Sequence, residues 1–353
     1  RNGAGGIGSS NTSAICISGE IPNNTQTVNV EEYNGSSWTE IANVNDARRY
    51  GVGLGTASSG LYVGGDNDPG YAATNELWNG SSWTEVGDMN TGRSQFGTGG
   101  TTTDGIVAAG RLPAKTANTE HWDGSAWTEV ANLATARSDT NAGGGISTSF
   151  LIAGGATATA FVASTEEFNT AGATDTIQNE GQIYYNSTDG TMNITSTVFG
   201  TGAWSSGGNL NQARIEMAGG GSQTAGIIAG GDVPPDTANT ELYNGSAWTE
   251  VANLNTDRRM GLGAGSQTSF VCAGGYDGSG SPASETWDGS SWSEIAEMNT
   301  VRWAGGSAGA DNESFIAFGG TSPIVAITET WNGSSWTEVN DMNTARQALA
   351  GSG

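Results

Sequence analysis

Histidine and lysine are nearly missing from this chain: 353 residues hold one His (His121) and one Lys (Lys115). Metal centres built on several imidazoles are therefore excluded, and a Ser-His-Asp triad would have to use His121. Basic charge is scarce throughout, with 12 Lys and Arg against 36 Asp and Glu and a formal net charge of −24. Such a surface repels nucleic-acid phosphates and anionic lipids, so neither is an expected partner, and it favours solubility in salty surroundings. Only 2 cysteines occur, Cys16 and Cys272, far apart and each inside a short apolar run. Buried free thiols are expected there rather than a disulfide framework. No apolar run approaches the roughly 20 residues of a membrane-spanning helix, so membrane insertion is not expected. The sequence opens on Arg1 with no visible signal peptide, which reads as a piece of something longer.

What is abundant is glycine, 57 residues, together with 12 Trp, 8 Tyr and 8 Phe. Frequent glycine disfavours helices, and large aromatics at regular intervals argue against disorder, so an all-β fold is expected. The regularity comes from an internal repeat. Arg1, Arg48, Arg93, Arg137, Arg214, Arg258, Arg302 and Arg346 are separated by 47, 45, 44, 77, 44, 44 and 44 residues. The one long gap exceeds its neighbours by 33 residues, so that unit carries an insertion.

Each unit resolves into four short strands. Strand A follows the Arg and is glycine-rich, as in GVGLG (51–55). Strand B is a continuous apolar run closing on small residues, such as LYVGG (61–65) and FVCAGG (270–275). Runs of this kind suit strands covered on both faces. Strand C carries a glutamate before an aromatic residue: Glu31, Glu76, Glu120, Glu166, Glu241, Glu285 and Glu329. Strand D opens on tryptophan: Trp38, Trp83, Trp127, Trp204, Trp248, Trp292 and Trp336. Asn-Gly or Asp-Gly joins C to D in six of the seven copies, a signal for tight hairpins with positive φ. Four strands in about 44 residues is the period of a propeller blade.

The paired glycines after strand B, the aromatic of strand C, the Trp of strand D and the Arg opening the next unit resemble the kelch motif. The resemblance covers nearly everything outside 171–202 and implies a seven-bladed β-propeller of four-stranded antiparallel blades, one domain over 1–353. Strand A occurs eight times, so 344–353 is expected as a surplus innermost strand, competing with 1–10 to close the ring. The insertion at 171–202 falls between strands C and D of the fourth unit. Its centre, GQIYYNSTDGTMNI (181–194), reads as a β-hairpin and resembles segments common in bacteriophage tail and fibre proteins. The NGSSWTE-type repeat is also similar to virion proteins of marine phages.

The unit Glu and unit Arg recur in step, which predicts a ring of Glu–Arg pairs between strands C and A. Repetition in every blade makes their role structural. In a propeller the B–C and D–A loops share one face. Here the D–A loops are nearly uniform (NLNTDR, EMNTVR, DMNTAR), whereas the B–C loops differ. Recognition is therefore expected on the B–C loops, with Asp66, Asp68, Tyr71, Arg111, Lys115, Asp232, Asp236, Tyr276 and Asp277 as candidates. Kelch-like propellers include copper oxidases whose His, Tyr and Cys-linked Tyr ligands cannot be assembled from this composition. WDGSSW (287–292) has a passing likeness to the Asp-box of sialidase-like propellers, but turn formation explains it, as it does the N-G-S sequons at Asn34, Asn79, Asn244 and Asn332. No cofactor is expected, calcium at an oxygen-rich loop such as GGDNDPG (64–70) excepted. The expected function is a non-enzymatic structural or receptor-binding protein of a bacteriophage virion. Its partners would be other virion proteins or a host surface glycan or protein, with the hairpin docking a neighbouring subunit. A bacterial surface or secreted adhesin is the alternative, and a propeller glycoside hydrolase a third reading.

Overall fold

Each repeat folds into one antiparallel sheet whose strands lie in sequence order, and seven such sheets form the blades of a β-propeller. The structure, a computed structural model, describes residues 3–10, 12–21, 25–140, 142–170, 183–186, 191–194, 202–321 and 323–347. In blade 1 the strands are Gly5–Ser10, Ser13–Ile17, Val30–Tyr33 and Trp38–Ile41 (A to D). The A strands of the other blades are Val52–Thr56, Gly97–Gly100, Ala142–Ile146, Ala218–Ser222, Leu262–Ser266 and Gly306–Asp311. These A strands are innermost and pack one against the next in a closed circuit, with Gly5–Ser10 touching both Val52–Thr56 and Gly306–Asp311. The B strands are buried along nearly their whole length, because the A and C strands flank each one and neighbouring blades cover both faces.

The core is divided into seven clusters, one at each junction between blades. At the junction of blades 1 and 2, Ile7, Ile15, Val30 and Val44 meet Tyr62, Trp78 and Trp83. At the closing junction, Cys16, Tyr33 and Trp38 of blade 1 meet Ile316, Phe318 and Met342 of blade 7. A single blade cannot cover both of its faces, so its apolar side chains are buried only by stacking. The Trp opening each D strand is 6–8 % exposed in six blades and half-buried in the fourth, where it is Trp204. Its indole N–H commonly reaches the preceding blade: Trp38 Nε1 donates to Thr328 Oγ1 (2.9 Å), Trp204 to Thr119 (3.1 Å), Trp248 to Thr165 (2.9 Å) and Trp292 to Thr240 (2.9 Å). Trp336 donates to the Ala296 carbonyl at 2.8 Å.

The C–D connections are Asx turns. Asn34 Oδ1 accepts the backbone N–H groups of Ser36 and Ser37, both at 3.0 Å, and Asp288 does the same for Ser290 and Ser291, both at 2.8 Å. Of each Asn-Gly or Asp-Gly pair only the glycine has positive φ, +92° at Gly35 and +94° at Gly289. This differs from a two-residue hairpin turn that needs positive φ twice, because the Asx side chain takes over part of the turn's hydrogen bonding. The paired glycines after strand B meet a double demand. Gly64 and Gly65 both have positive φ (+55° and +117°), and a Cβ on either would lie 2.8 Å from a backbone oxygen, of Arg93 and Arg49 respectively.

In blade 4 the third strand, Thr165–Asn169, pairs with Ala203–Ser206, and the insertion lies between them. Within it, Ile183–Asn186 pairs antiparallel with Thr191–Ile194. The rest of 171–201 lies outside the described residues, as do Arg1 and 348–353 of the expected surplus strand.

Candidate functional site

The B–C and D–A loops emerge on one face, and a layer of buried ion pairs lies beneath it. Arg93, Arg137, Arg214, Arg258 and Arg302 pair through Nη2 with Glu120, Glu166, Glu241, Glu285 and Glu329 of their own blades. Arg48 and Glu76 face each other at 3.3 Å. The seventh pair joins Arg346, at the end of the chain, to Glu31 of blade 1. Every one of these side chains is at most 5 % exposed. In six of the pairs the second carboxylate oxygen of the Glu accepts from an asparagine three residues before the Arg, as where Asn255 N and Nδ2 both reach Glu285 Oε2 at 2.8 Å, and in the fourth blade Glu166 accepts from Ala134 N at 2.6 Å. Nη1 of Arg93, Arg137, Arg214, Arg258 and Arg302 donates to a backbone carbonyl at the end of the B–C loop, and that of Arg48 to the Thr74 hydroxyl, so these pairs rivet that loop to the D–A loop. The asparagine was missed in the sequence reading, although its fixed distance from the Arg was visible in six of the copies.

Above this layer, the two residues after each Arg are where the blades diverge: Arg49-Tyr50, Ser94-Gln95, Ser138-Asp139, Ile215-Glu216, Arg259-Met260 and Trp303-Ala304. The second residue of each pair is left-handed, with φ between +52° and +57°, and blade 1 has Gly3 there at +65°. They follow one another around the axis. Tyr50 N donates to Gly3 O, Met260 N to Glu216 O (2.8 Å) and Ala304 N to Met260 O (3.2 Å). A left-handed L-residue costs roughly 1–2 kcal/mol. This glycine-rich chain nonetheless keeps Tyr50, Gln95, Asp139, Glu216, Met260 and Ala304 there, all half-buried. The first residue of each pair bridges to the opening residue of its B–C loop: Arg49 to Asp66, Ser94 to Arg111, Ile215 to Asp232 and Arg259 to Tyr276. These positions together form an axial rim.

Six of the nine candidate loop residues converge on this rim or the loop beside it, in two constellations. Between blades 2 and 3, Arg49, Tyr50, Asp66, Tyr71, Ser94, Gln95 and Arg111 line a cleft of about 290 Å³. Arg49 Nε and Nη2 donate to Asp66 Oδ2 at 3.3 and 3.2 Å, and its Nη1 meets Glu20. Burial pulls the Arg49 pKa down, but the carboxylates of Asp66 and Glu20 outweigh it and hold the value above the usual one. Between blades 5 and 6, Arg259 lies 3.4 Å from Asp232, 3.5 Å from Asp236 and 3.6 Å from Glu216, with the Tyr276 ring centroid 4.9 Å away. Burial raises the pKa of Glu216, which Arg259 opposes and Asp232 and Asp139 reinforce. Asp236 is raised in the same way. Lys115 sits 3.7 Å from Asp139 of the rim. Asp68 and Asp277 stay exposed within their own loops, where Asp68 N donates to Asp66 Oδ1 (3.1 Å) and Asp277 Oδ1 accepts from Ser279 N (3.3 Å).

The remaining chemistry-bearing groups lie away from the rim. His121 Nε2 bonds Asp104 Oδ1 at 2.7 Å beside an A–B turn on the opposite face. Cys16 and Cys272 are buried and unpaired, and burial raises the Cys272 thiol to about 11. Among the described residues no group of three His, Cys, Asp or Glu side chains is placed to hold a metal ion, the 64–70 loop included. No helix among them is long and apolar enough to cross a membrane.

No family model and no curated protein matches the chain. Solved structures do match it in fold. One titled "Structure of YjhT" superposes with a TM-score of 0.58 at 10 % identity, covering 83 % of this chain and 97 % of that one. The likeness corrects the expectation of a chain without enzyme activity. That expectation rested on the missing copper ligands and the lone His121, which bear only on one oxidase centre and one triad. A propeller fold shared with YjhT carries no such exclusion, and the rim holds carboxylates, guanidinium groups and tyrosines.

Proposed function

We propose that this chain is a recognition propeller that uses the axial rim and the B–C loops beside it to bind a surface receptor. One observation carries the reading. Blades that are near-copies elsewhere differ at the rim, and six of them hold side chains in a left-handed conformation that glycine would adopt more cheaply. Backbone strain retained at the same position of six blades points to a use for the side chain. The setting proposed is a bacteriophage virion, as a fibre, appendage or capsid-attached module. Support comes from the kelch-like repeat, the phage-type hairpin segment and the NGSSWTE units.

The test replaces Tyr50, Gln95, Asp139, Glu216, Met260 and Ala304 together by glycine. The expected variant folds with a melting temperature at or above that of the parent, since glycine relieves the strain. Its adsorption to a panel of bacterial cells, read by fluorescent labelling, falls at least tenfold. A six-glycine protein that adsorbs as well as the parent removes the recognition reading. Mass spectrometry of purified virions checks the setting, and absence of the protein from particles transfers the reading to a cell-surface adhesin.

A further inference from the structure

Set aside the seven arginines of the buried ring and Arg1, which lies outside the described residues. Four of the twelve basic residues remain: Arg49, Arg111, Lys115 and Arg259. All four stand on the B–C/D–A face, at the rim or in the loop beside it. A chain of net charge −24 thus holds its non-structural positive charge at one place. Three of the four are neutralised there, Arg49 by Asp66 and Glu20, Lys115 by Asp139, and Arg259 by Glu216, Asp232 and Asp236.

Arg111 is different. Its backbone is pinned, with N donating to Ser94 O at 2.7 Å and O accepting from Ser94 N at 3.0 Å. Its exposed side chain has neither an ion-pair nor a hydrogen-bond partner among the described residues, and it stands in the wall of the 290 Å³ cleft. Tyr50, Tyr71, Ser94, Gln95 and the Arg49–Asp66 pair line the same cleft, and so bring two phenols, a hydroxyl and an amide to it.

We infer that this cleft between blades 2 and 3 binds a carboxylated saccharide, its carboxylate held by Arg111. The inference deepens the recognition reading above and rests on it. A guanidinium fork matches a carboxylate with two parallel hydrogen bonds. Aromatic faces suit the apolar face of a sugar ring, while the hydroxyl, amide and ion-paired groups match its hydroxyls. The cleft is at the small end of ligand sites, the size of one or two sugar rings. One unpaired guanidinium among carboxylates balances a single negative charge, which favours a carboxylate over a phosphate dianion.

The experiment is calorimetric titration of the protein with trisaccharides of galacturonic, glucuronic and neuraminic acid, each beside its own methyl ester, and with inorganic phosphate. At least one acid is expected to bind, with its ester at least tenfold weaker and phosphate weaker than the acid. Arg111→Ala lowers affinity for the acid at least tenfold and makes acid and ester equal, while Arg111→Lys retains part of the preference. The Arg111 side chain supports nothing in the fold, so these variants keep the parent's melting temperature. The inference is overturned if no acid binds, if the ester binds as well as the acid, if phosphate binds more tightly, or if Arg111→Ala leaves affinity unchanged. Should it fall while the six-glycine variant still loses adsorption, the recognition reading stands and only the ligand class is wrong.

Discussion

Glu241 shows how much a single side chain carries in this molecule. Its carboxylate is fully buried, pairs with Arg214 Nη2, and accepts from Asn211 N and Nδ2, both at 2.8 Å. A buried pair adds little stability over an apolar substitute, but breaking it strands the partner's charge. Glu241→Gln keeps the shape and removes the charge, so Arg214 is left uncompensated. The expected loss is about 3–5 kcal/mol, read by denaturant unfolding. An unchanged unfolding midpoint would mean that the pair does not hold the loops together. Glu and Arg recurring in step were legible as a pair because both lie at fixed places in one period. The strained residues Tyr50, Gln95, Asp139 and Glu216 were not. Nothing in a local pattern marks a left-handed residue that is not glycine.

At the scale of one strand against the next blade, the tryptophan bonds depend on what the neighbour offers. Thr119, Thr165, Thr240 and Thr328 open their C strands and accept an indole N–H. Blade 1 has Val30 at that place, and Trp83 Nε1, buried against it, has no partner among the described residues. Val30→Thr supplies the missing acceptor without changing the shape of the side chain. A gain of about 1 kcal/mol is expected in the free energy of unfolding, the net worth of one buried hydrogen bond. A loss of stability in this variant would show that the Thr hydroxyls cost more to bury than the bonds return. The apolar B strands and the Asn-Gly turns were readable in advance, since burial on both faces and turn geometry each demand particular residue types. The partner of each Trp was not, because it lies in another unit.

Across the whole molecule, the ring is closed by its two ends. The A strand of blade 1 comes from the start of the chain, yet the arginine serving Glu31 is Arg346, and Asn343 N reaches the same carboxylate. Gly3 N donates to Gln347 O at 3.0 Å, and Met342 fills the closing junction. Deleting 340–353 removes all of these contacts at once. The shortened chain is expected to unfold at lower denaturant than Glu241→Gln, with hydrogen exchange accelerated first in blades 1 and 7. Protection spread evenly over all blades would argue that closure is not the weak point. The repeat was legible as a ring of seven, but Arg1 and Arg346 stand at the same place in the period, and only the closed structure selects Arg346 for Glu31.

The order of residues alone settled what depends on neighbours along the chain: four strands to a unit, the hairpin turns, the apolar runs, the recurring charges and hence seven blades. Closure of the ring decided the rest. It brought Arg49, Tyr71, Gln95 and Arg111 to one cleft, and it set Arg259 of blade 6 among three carboxylates of blade 5. The physical reason is that periodicity encodes the shape of a blade, whereas a binding surface arises between blades, where the stacking angle places residues far apart in sequence side by side.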